Sequence, residues 1–192
     1  IYKRKELDFA LAKCHKVPQH HFEKVLLTEA EIIESIKTSI KIIEEMAPNA
    51  EVIVTASPVR HIKDGIVENN VSKARLLSAL YEVSVQHENV TYFPSYELLM
   101  DDLRDYRFYA DDLLHPNKQA VDYIWYKFSG SYFEEEPIKL NKQIEKLMIA
   151  LNHRPFNEDS EAHQKFISNT IEQMQNVMRK NPSIDFKQEI EH

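Results

Sequence analysis

Two short apolar segments, residues 51–56 and 90–93, constrain the fold most because each of them follows a predicted helix. Apolar residues at helical spacing predict helices over 28–47 and 71–87, and Thr28 begins a capping-box pattern. A chain that alternates helices with strands favours a parallel sheet built from βαβ units. Because both strand segments are continuously apolar, we expect the sheet to be buried on both faces.

The rest of the chain is predicted to be mostly helical. Three further helices are predicted over 117–132, 137–151 and 160–180. The stripes of apolar residues on the second and third predicted helices place these residues inward: Ala74, Leu77, Leu80, Tyr81, Val85, Ala120, Val121, Ile124, Trp125 and Phe128. We therefore divide the chain into an α/β domain over 1–133 and a helical extension over 134–192. Residues 1–21 show weak periodicity and predict irregular structure.

Composition excludes several classes of site. The chain of 192 residues has two glycines where average usage gives roughly thirteen, so no Gly-rich phosphate loop is possible. The single cysteine, Cys14, excludes an internal disulfide framework and a multi-cysteine zinc site. No H-E-x-x-H motif is present, and we expect neither a metal nor a cofactor.

Charge and hydropathy limit the partners. A net charge of −7 argues against a general nucleic-acid binder, which needs a basic surface to neutralise phosphates. No apolar run is long enough to span a bilayer. The sequence leaves the compartment open, with the cytoplasm slightly favoured, and leaves the oligomeric state open.

The sharpest motif for chemistry is D-x-x-H, formed by Asp112 and His115 and followed by Pro116. A carboxylate three residues before a histidine can accept the imidazole Nδ1–H, which fixes the tautomer and leaves Nε2 as a general base. Alternatively, Asp112 caps a turn and His115 is an ordinary loop histidine.

A second group of candidates follows the first predicted strand. Arg60 can hold a carboxylate through two parallel hydrogen bonds, either from a ligand or from the protein itself. Ser57 lacks the G-x-S-x-G elbow of α/β-hydrolases, which favours a turn residue over a nucleophile. Cys14 lies beside His15 and two lysines, the setting of a reactive thiolate, but neighbouring side chains in a chain often point apart, which favours a packed cysteine instead.

The chain resembles the C-terminal part of GSCFA-family proteins, a bacterial group similar to the SGNH (GDSL-like) hydrolases. Four stretches carry the resemblance: CHKVP at 14–18, TASPVRHIKDG at 55–65, DDLRDYRFYADDLLHP at 101–116 and HRPFN at 153–157. The resemblance implies a three-layer α/β/α, flavodoxin-like fold with a central parallel sheet that is incomplete at the N-terminus. It also implies a Ser-His-Asp triad in which Asp112 and His115 match the late D-x-x-H block.

The family's G-S-C-F-A stretch, with its nucleophilic serine, is not in this sequence. We expect that stretch, the oxyanion donors and the remaining strands to lie upstream of residue 1, and the chain alone to be inactive. The implied function is serine ester hydrolysis of a small-molecule or carbohydrate ester. Arg60, His61 and Arg107 are the candidate substrate contacts.

Three alternatives remain open from the sequence. The same residues would serve an acyltransferase that gives the acyl group to a sugar hydroxyl instead of water. A non-catalytic carbohydrate-binding protein could use the same scaffold. The helical extension could be an assembly module, because Phe166, Ile171 and Met174 form part of an apolar stripe that packs either on the core or on a partner.

Overall fold

The computed structural model describes residues 2–4, 10–11, 18–157 and 160–190. The chain divides into two compact units, residues 1–126 and 127–192. Across the described residues, no helix combines the length and the apolar character that crossing a bilayer requires.

The first unit begins with a small antiparallel sheet. Its strands are β1 (Tyr2–Arg4), β2 (Ala10–Leu11) and β3 (Phe22–Lys24), in the order β2-β1-β3. The prediction of irregular structure over 1–21 was therefore wrong for β1 and β2. Strands of two or three residues are too short to show a period of two in the sequence, and a long-range pairing forms them.

Two long helices follow. Helix α1 (Glu29–Met46) begins at the predicted capping box, in which the Thr28 hydroxyl accepts from the Glu31 N–H at 3.3 Å and the Glu31 carboxylate accepts from the Thr28 N–H at 2.8 Å. Helix α2 (Ile66–Gln86) begins five residues before the predicted position. Its first three residues are exposed, so this end of the helix shows no inward apolar stripe that the sequence could reveal.

Strands β4 (Val52–Thr55) and β5 (Val90–Phe93) form the predicted parallel pair, with Val52 opposite Val90 and Thr55 opposite Phe93. Ile40 of α1 and Val83 of α2 pack with Val90 into a buried cluster. This pairing of helices and strands confirms the α/β class.

Burial of the parallel sheet on both faces is not seen within the described residues. Ile53, whose side chain points away from the cluster formed with α1 and α2, is 39% exposed, and Thr91 is exposed as well. Within the described residues the parallel sheet has two strands, so the three-layer arrangement is not seen there. Helices cover one face of this sheet, and a strand's composition does not reveal how many layers lie over it.

The segment after β5 is helical but irregular. A short helix, α3 (Ser95–Glu97), continues as a π-helical segment over Leu98–Leu103, which ends where Arg104 adopts a left-handed φ of 49°. Helix α4 (Lys118–Tyr132) comes after the loop that carries the D-x-x-H motif. Leu99, Phe108 and Ala120 form a second buried cluster.

Some of the residues predicted to point inward do not. Tyr81 and Val85 of α2 are each 68% exposed, and Val121 and Trp125 of α4 are about half exposed. On α2 the buried positions include Asn69 and Lys73 along with Leu80 and Val83, so the buried face is rotated from the one that apolar residues alone indicate.

The second unit contains helices α5 (Glu135–Leu151), α6 (Glu161–Lys180) and α7 (Lys187–Ile190). The first two lie within two residues of their predicted bounds. Their buried cluster is formed by Leu147, Met174, Val177 and Phe186. The unit therefore has a hydrophobic core of its own.

Candidate functional site

Hydrogen bonds at the carboxyl ends of the parallel strands hold together the segments that follow them. The Thr55 hydroxyl donates to the Phe93 carbonyl at 2.8 Å, and the Ser95 hydroxyl donates to the Ala56 carbonyl at 2.8 Å. Because parallel strands end at the same edge of a sheet, the residues after β4 and those after β5 meet there. In open α/β sheets this edge is where ligands bind.

The D-x-x-H motif forms a compact hydrogen-bonded turn. One carboxylate oxygen of Asp112, Oδ1, accepts from the backbone N–H groups of Leu114 at 2.9 Å and His115 at 3.0 Å. The other, Oδ2, lies 2.6 Å from Nδ1 of the His115 ring. Asp112 therefore caps the turn and contacts the imidazole at the same time.

These hydrogen bonds stabilise the charged form of the Asp112 carboxyl. The backbone N–H groups of His115 and Leu114, followed by the His115 side chain, lower the pKa of Asp112 from 3.8 to about 2. The carboxylate is therefore charged at neutral pH. The charged carboxylate fixes the orientation of the His115 ring through its contact with Nδ1.

Backbone hydrogen bonds join the two ends of the loop that contains this turn. The Ala110 N–H donates to the His115 carbonyl at 2.8 Å, and Leu113 adopts a left-handed φ of 57°, which is uncommon for leucine. Asn117, which caps α4, accepts from the Ala120 N–H at 3.1 Å and donates to the Arg107 carbonyl at 2.6 Å. The loop is therefore anchored to the start of the helix.

The imidazole is accessible. The His115 side chain is 60% exposed and that of Asp112 is 46% exposed. Within the described part of the chain, no hydrogen-bond partner lies at Nε2 of His115. All serines of the chain are among the described residues, and none of them hydrogen-bonds His115: Ser57 accepts from the Val59 N–H, and Ser95 is buried.

A cleft of about 360 Å³ lies at the carboxyl edge of the sheet. Its walls come from the loop after β4, from α2, from the segment after β5 and from the D-x-x-H turn. The residues that line it are Pro58, Arg60, Ile62, Ile66, Asn69, Asn70, Lys73, Ala74, Leu77, Tyr96, Met100, Leu113 and Leu114. Leu113 and Leu114 separate Asp112 from His115 in the chain, so the turn that orients the imidazole also forms one wall of the cleft.

Of the three predicted substrate contacts, one lines the cleft and two lie outside it. Arg60 lines the cleft, with its guanidinium 6.0 Å from the Tyr109 ring centroid. The His61 side chain is exposed and does not line the cleft, although its backbone N–H donates to Asn69. Arg107 is 73% exposed, lies 3.6 Å from Asp105 and is also outside the cleft. The interpretation of Cys14 concerns a residue outside the described ranges.

Sequence reasoning missed Lys73. This lysine is 9% exposed, its ammonium donates to the Ser57 carbonyl at 2.5 Å, and burial lowers its pKa. The position of Lys73 in the sequence indicates its burial. Asn69, Lys73 and Leu80 lie four and seven residues apart, so they share one face of the helix. A prediction of the buried face that uses only apolar residues misses a polar residue on that face.

The described residues contain no group of three or more His, Cys, Asp or Glu side chains arranged to hold a metal ion.

Two family comparisons cover most of the chain. The model of the GSCFA family matches residues 1–128, and a model described as "GSCFA domain protein, C-terminal domain" matches residues 144–192. No curated protein and no solved structure matches the chain. Since the first model alone spans more than half of the sequence, the chain belongs to the GSCFA family.

Proposed function

We propose that Asp112 and His115 are the orienting carboxylate and the general base of a serine ester hydrolase. The observation that carries the proposal is the 2.6 Å contact between the Asp112 carboxylate and Nδ1 of a solvent-accessible imidazole. The nucleophilic serine and the oxyanion donors come from sequence outside these 192 residues. The proposal includes a complete three-layer, SGNH-type sheet in the whole domain and a domain boundary near residue 133.

In the proposed mechanism, the serine hydroxyl attacks an ester carbonyl while Nε2 of His115 takes its proton. Asp112 holds the ring in the required tautomer and stabilises the imidazolium. His115 then gives the proton to the departing alkoxide, and water releases the acyl group by the same route in reverse. Removing the orienting carboxylate of a serine protease triad lowers kcat by about 10⁴-fold, which sets the scale for Asp112.

Arg60 is the proposed substrate contact within the cleft. His61 and Arg107 remain proposed contacts for parts of an ester that extend beyond the cleft. The apolar walls beside Arg60 suit an acyl chain or the apolar body of an alcohol.

The test uses the complete protein that carries the serine, with p-nitrophenyl acetate as substrate. We expect His115→Ala and Asp112→Asn each to lower kcat by about 10³-fold or more. Asp101→Asn and His153→Ala change the same residue types at exposed positions outside 105–117 and should keep full activity. Unchanged turnover in either dyad variant, or failure of a fluorophosphonate probe to label the wild type, would contradict the proposal.

A further inference from the structure

The cleft contains a buried cation without a counter-ion. Lys73 is 9% exposed, and its ammonium contacts the Ser57 carbonyl and lies 5.7 Å from the Tyr96 ring centroid. In the described part of the chain, no carboxylate lies within ion-pair distance of this ammonium. A buried charge is unfavourable unless it is paired. A negative group that enters the cleft would therefore be stabilised by pairing with the Lys73 ammonium.

A second cation lines the same cleft. The Arg60 guanidinium is half-buried beside Tyr109, and no carboxylate of the described residues forms an ion pair with it. None of the residues that line the cleft is acidic. On a chain with a net charge of −7, this cleft is therefore locally positive, which favours the capture of an anion.

The remaining lining is mostly apolar. Apolar side chains from α2, from the segment after β5 and from the D-x-x-H turn line the same cleft, among them Leu77, Met100, Leu113 and Leu114. A cleft of about 360 Å³ falls within the size range of small-molecule sites. Two cations and a largely apolar wall match a ligand that has an anionic head and a hydrocarbon body.

We propose that this cleft binds a small amphiphilic anion, with Lys73 and Arg60 holding its carboxylate or phosphate group and the apolar walls holding its hydrocarbon part. As a statement of the substrate class for ester hydrolysis, the inference rests on the proposed function. Anion binding itself requires neither His115 nor the serine. The substrate would then carry its negative charge at a position separate from the reacting ester bond.

The test is isothermal titration calorimetry of the full chain with octanoate, octyl phosphate and octanol. We expect at least one of the two anions to bind about tenfold or more tightly than octanol, which has the same chain but no charge. The two anions show which head group the cations prefer. Equal affinity for octanol and both anions would overturn the inference.

Charge-removing variants locate the site. Lys73→Met and Arg60→Met should each weaken anion binding by about tenfold or more, whereas Lys41→Met, at an exposed position on α1, should leave it unchanged. Because Lys73→Met removes a buried charge and keeps a long side chain, its Tm should be equal to or above that of the wild type. If Lys73→Met does not fold, the Arg60→Met variant alone provides the test. A folded variant that keeps the wild-type affinity for the anion contradicts the inference.

His115→Ala separates this inference from the proposed hydrolase, because its backbone N–H still bonds Asp112. We expect it to keep anion binding. Anion binding in a protein whose hydrolysis survives His115→Ala would refute the hydrolase and leave the anion site standing.

Discussion

The two glycines of the chain occupy positions with opposite requirements. Gly65, at the start of α2, has φ 99° and ψ 151°, a region that is essentially restricted to glycine. Gly130 lies in α4, where a Cβ would meet no atom within 4 Å. Gly65→Ala should therefore lower the free energy of unfolding by about 1–3 kcal/mol. Gly130→Ala should raise it by about 0.5–1 kcal/mol, because alanine loses less entropy in a helix.

Urea denaturation of the two variants against the wild type measures both changes. The pair controls for the Gly→Ala substitution itself. Equal shifts of the same sign would show that backbone conformation does not decide these positions.

The titration of Asp112 is a second prediction at the residue scale. Its folded pKa of about 2 lies below the ordinary 3.8, so the stabilisation it contributes is present above about pH 4 and is lost as the pH falls toward 2. In His115→Ala, the pKa should rise but stay below 3.8, because the backbone N–H groups, the main cause of the shift, remain. An NMR titration of the carboxyl carbon reads the midpoint directly. A wild-type midpoint near 3.8 would contradict the three hydrogen bonds to the Asp112 carboxylate.

Among the helices, the capping box of α1 gives a direct test of a local signal. Thr28→Ala removes the hydroxyl that accepts from Glu31 and should destabilise the protein by about 1 kcal/mol in chemical denaturation. Thr38→Ala makes the same substitution at an exposed position inside α1. It should be neutral or slightly stabilising because alanine favours the helix interior. A loss of stability in both variants that is of equal size would exclude capping as the cause.

Local signals explain which elements the sequence could predict. The starts of α1 and α6 follow from Thr28 and Ser160, whose hydroxyls accept from N–H groups three residues away. The Asp112–His115 contact is also local, because the two residues lie three positions apart in the sequence. The short strands β1 and β2, the uncovered side of Ile53 and the burial of Lys73 depend on segments distant in sequence. No local pattern indicates these features, which is why Lys73 and the exposed face of the two-stranded parallel sheet were not predicted.

At the scale of the whole molecule, each of the two units has a core that can be weakened separately. Met174 is fully buried among Leu147, Val177 and Phe186, so Met174→Ala should cost about 2–5 kcal/mol through lost burial and a cavity. Hydrogen exchange should then accelerate in α5 and α6. Met46→Ala removes a side chain that is 83% exposed and should change little. Unaltered exchange of α5 and α6 in the Met174 variant would contradict this assignment of the core.

The turn that contains Leu113 and Leu114 limits how the cleft can be redesigned. Its hydrogen bonds set the direction of the imidazole, while its two leucines form part of the cleft wall. Any inserted or deleted residue between 112 and 115 would displace the ring as it reshaped the wall. An engineer who wants a roomier cleft should therefore shorten side chains at Leu77 or Met100, on separate elements, and leave the length of this turn unaltered.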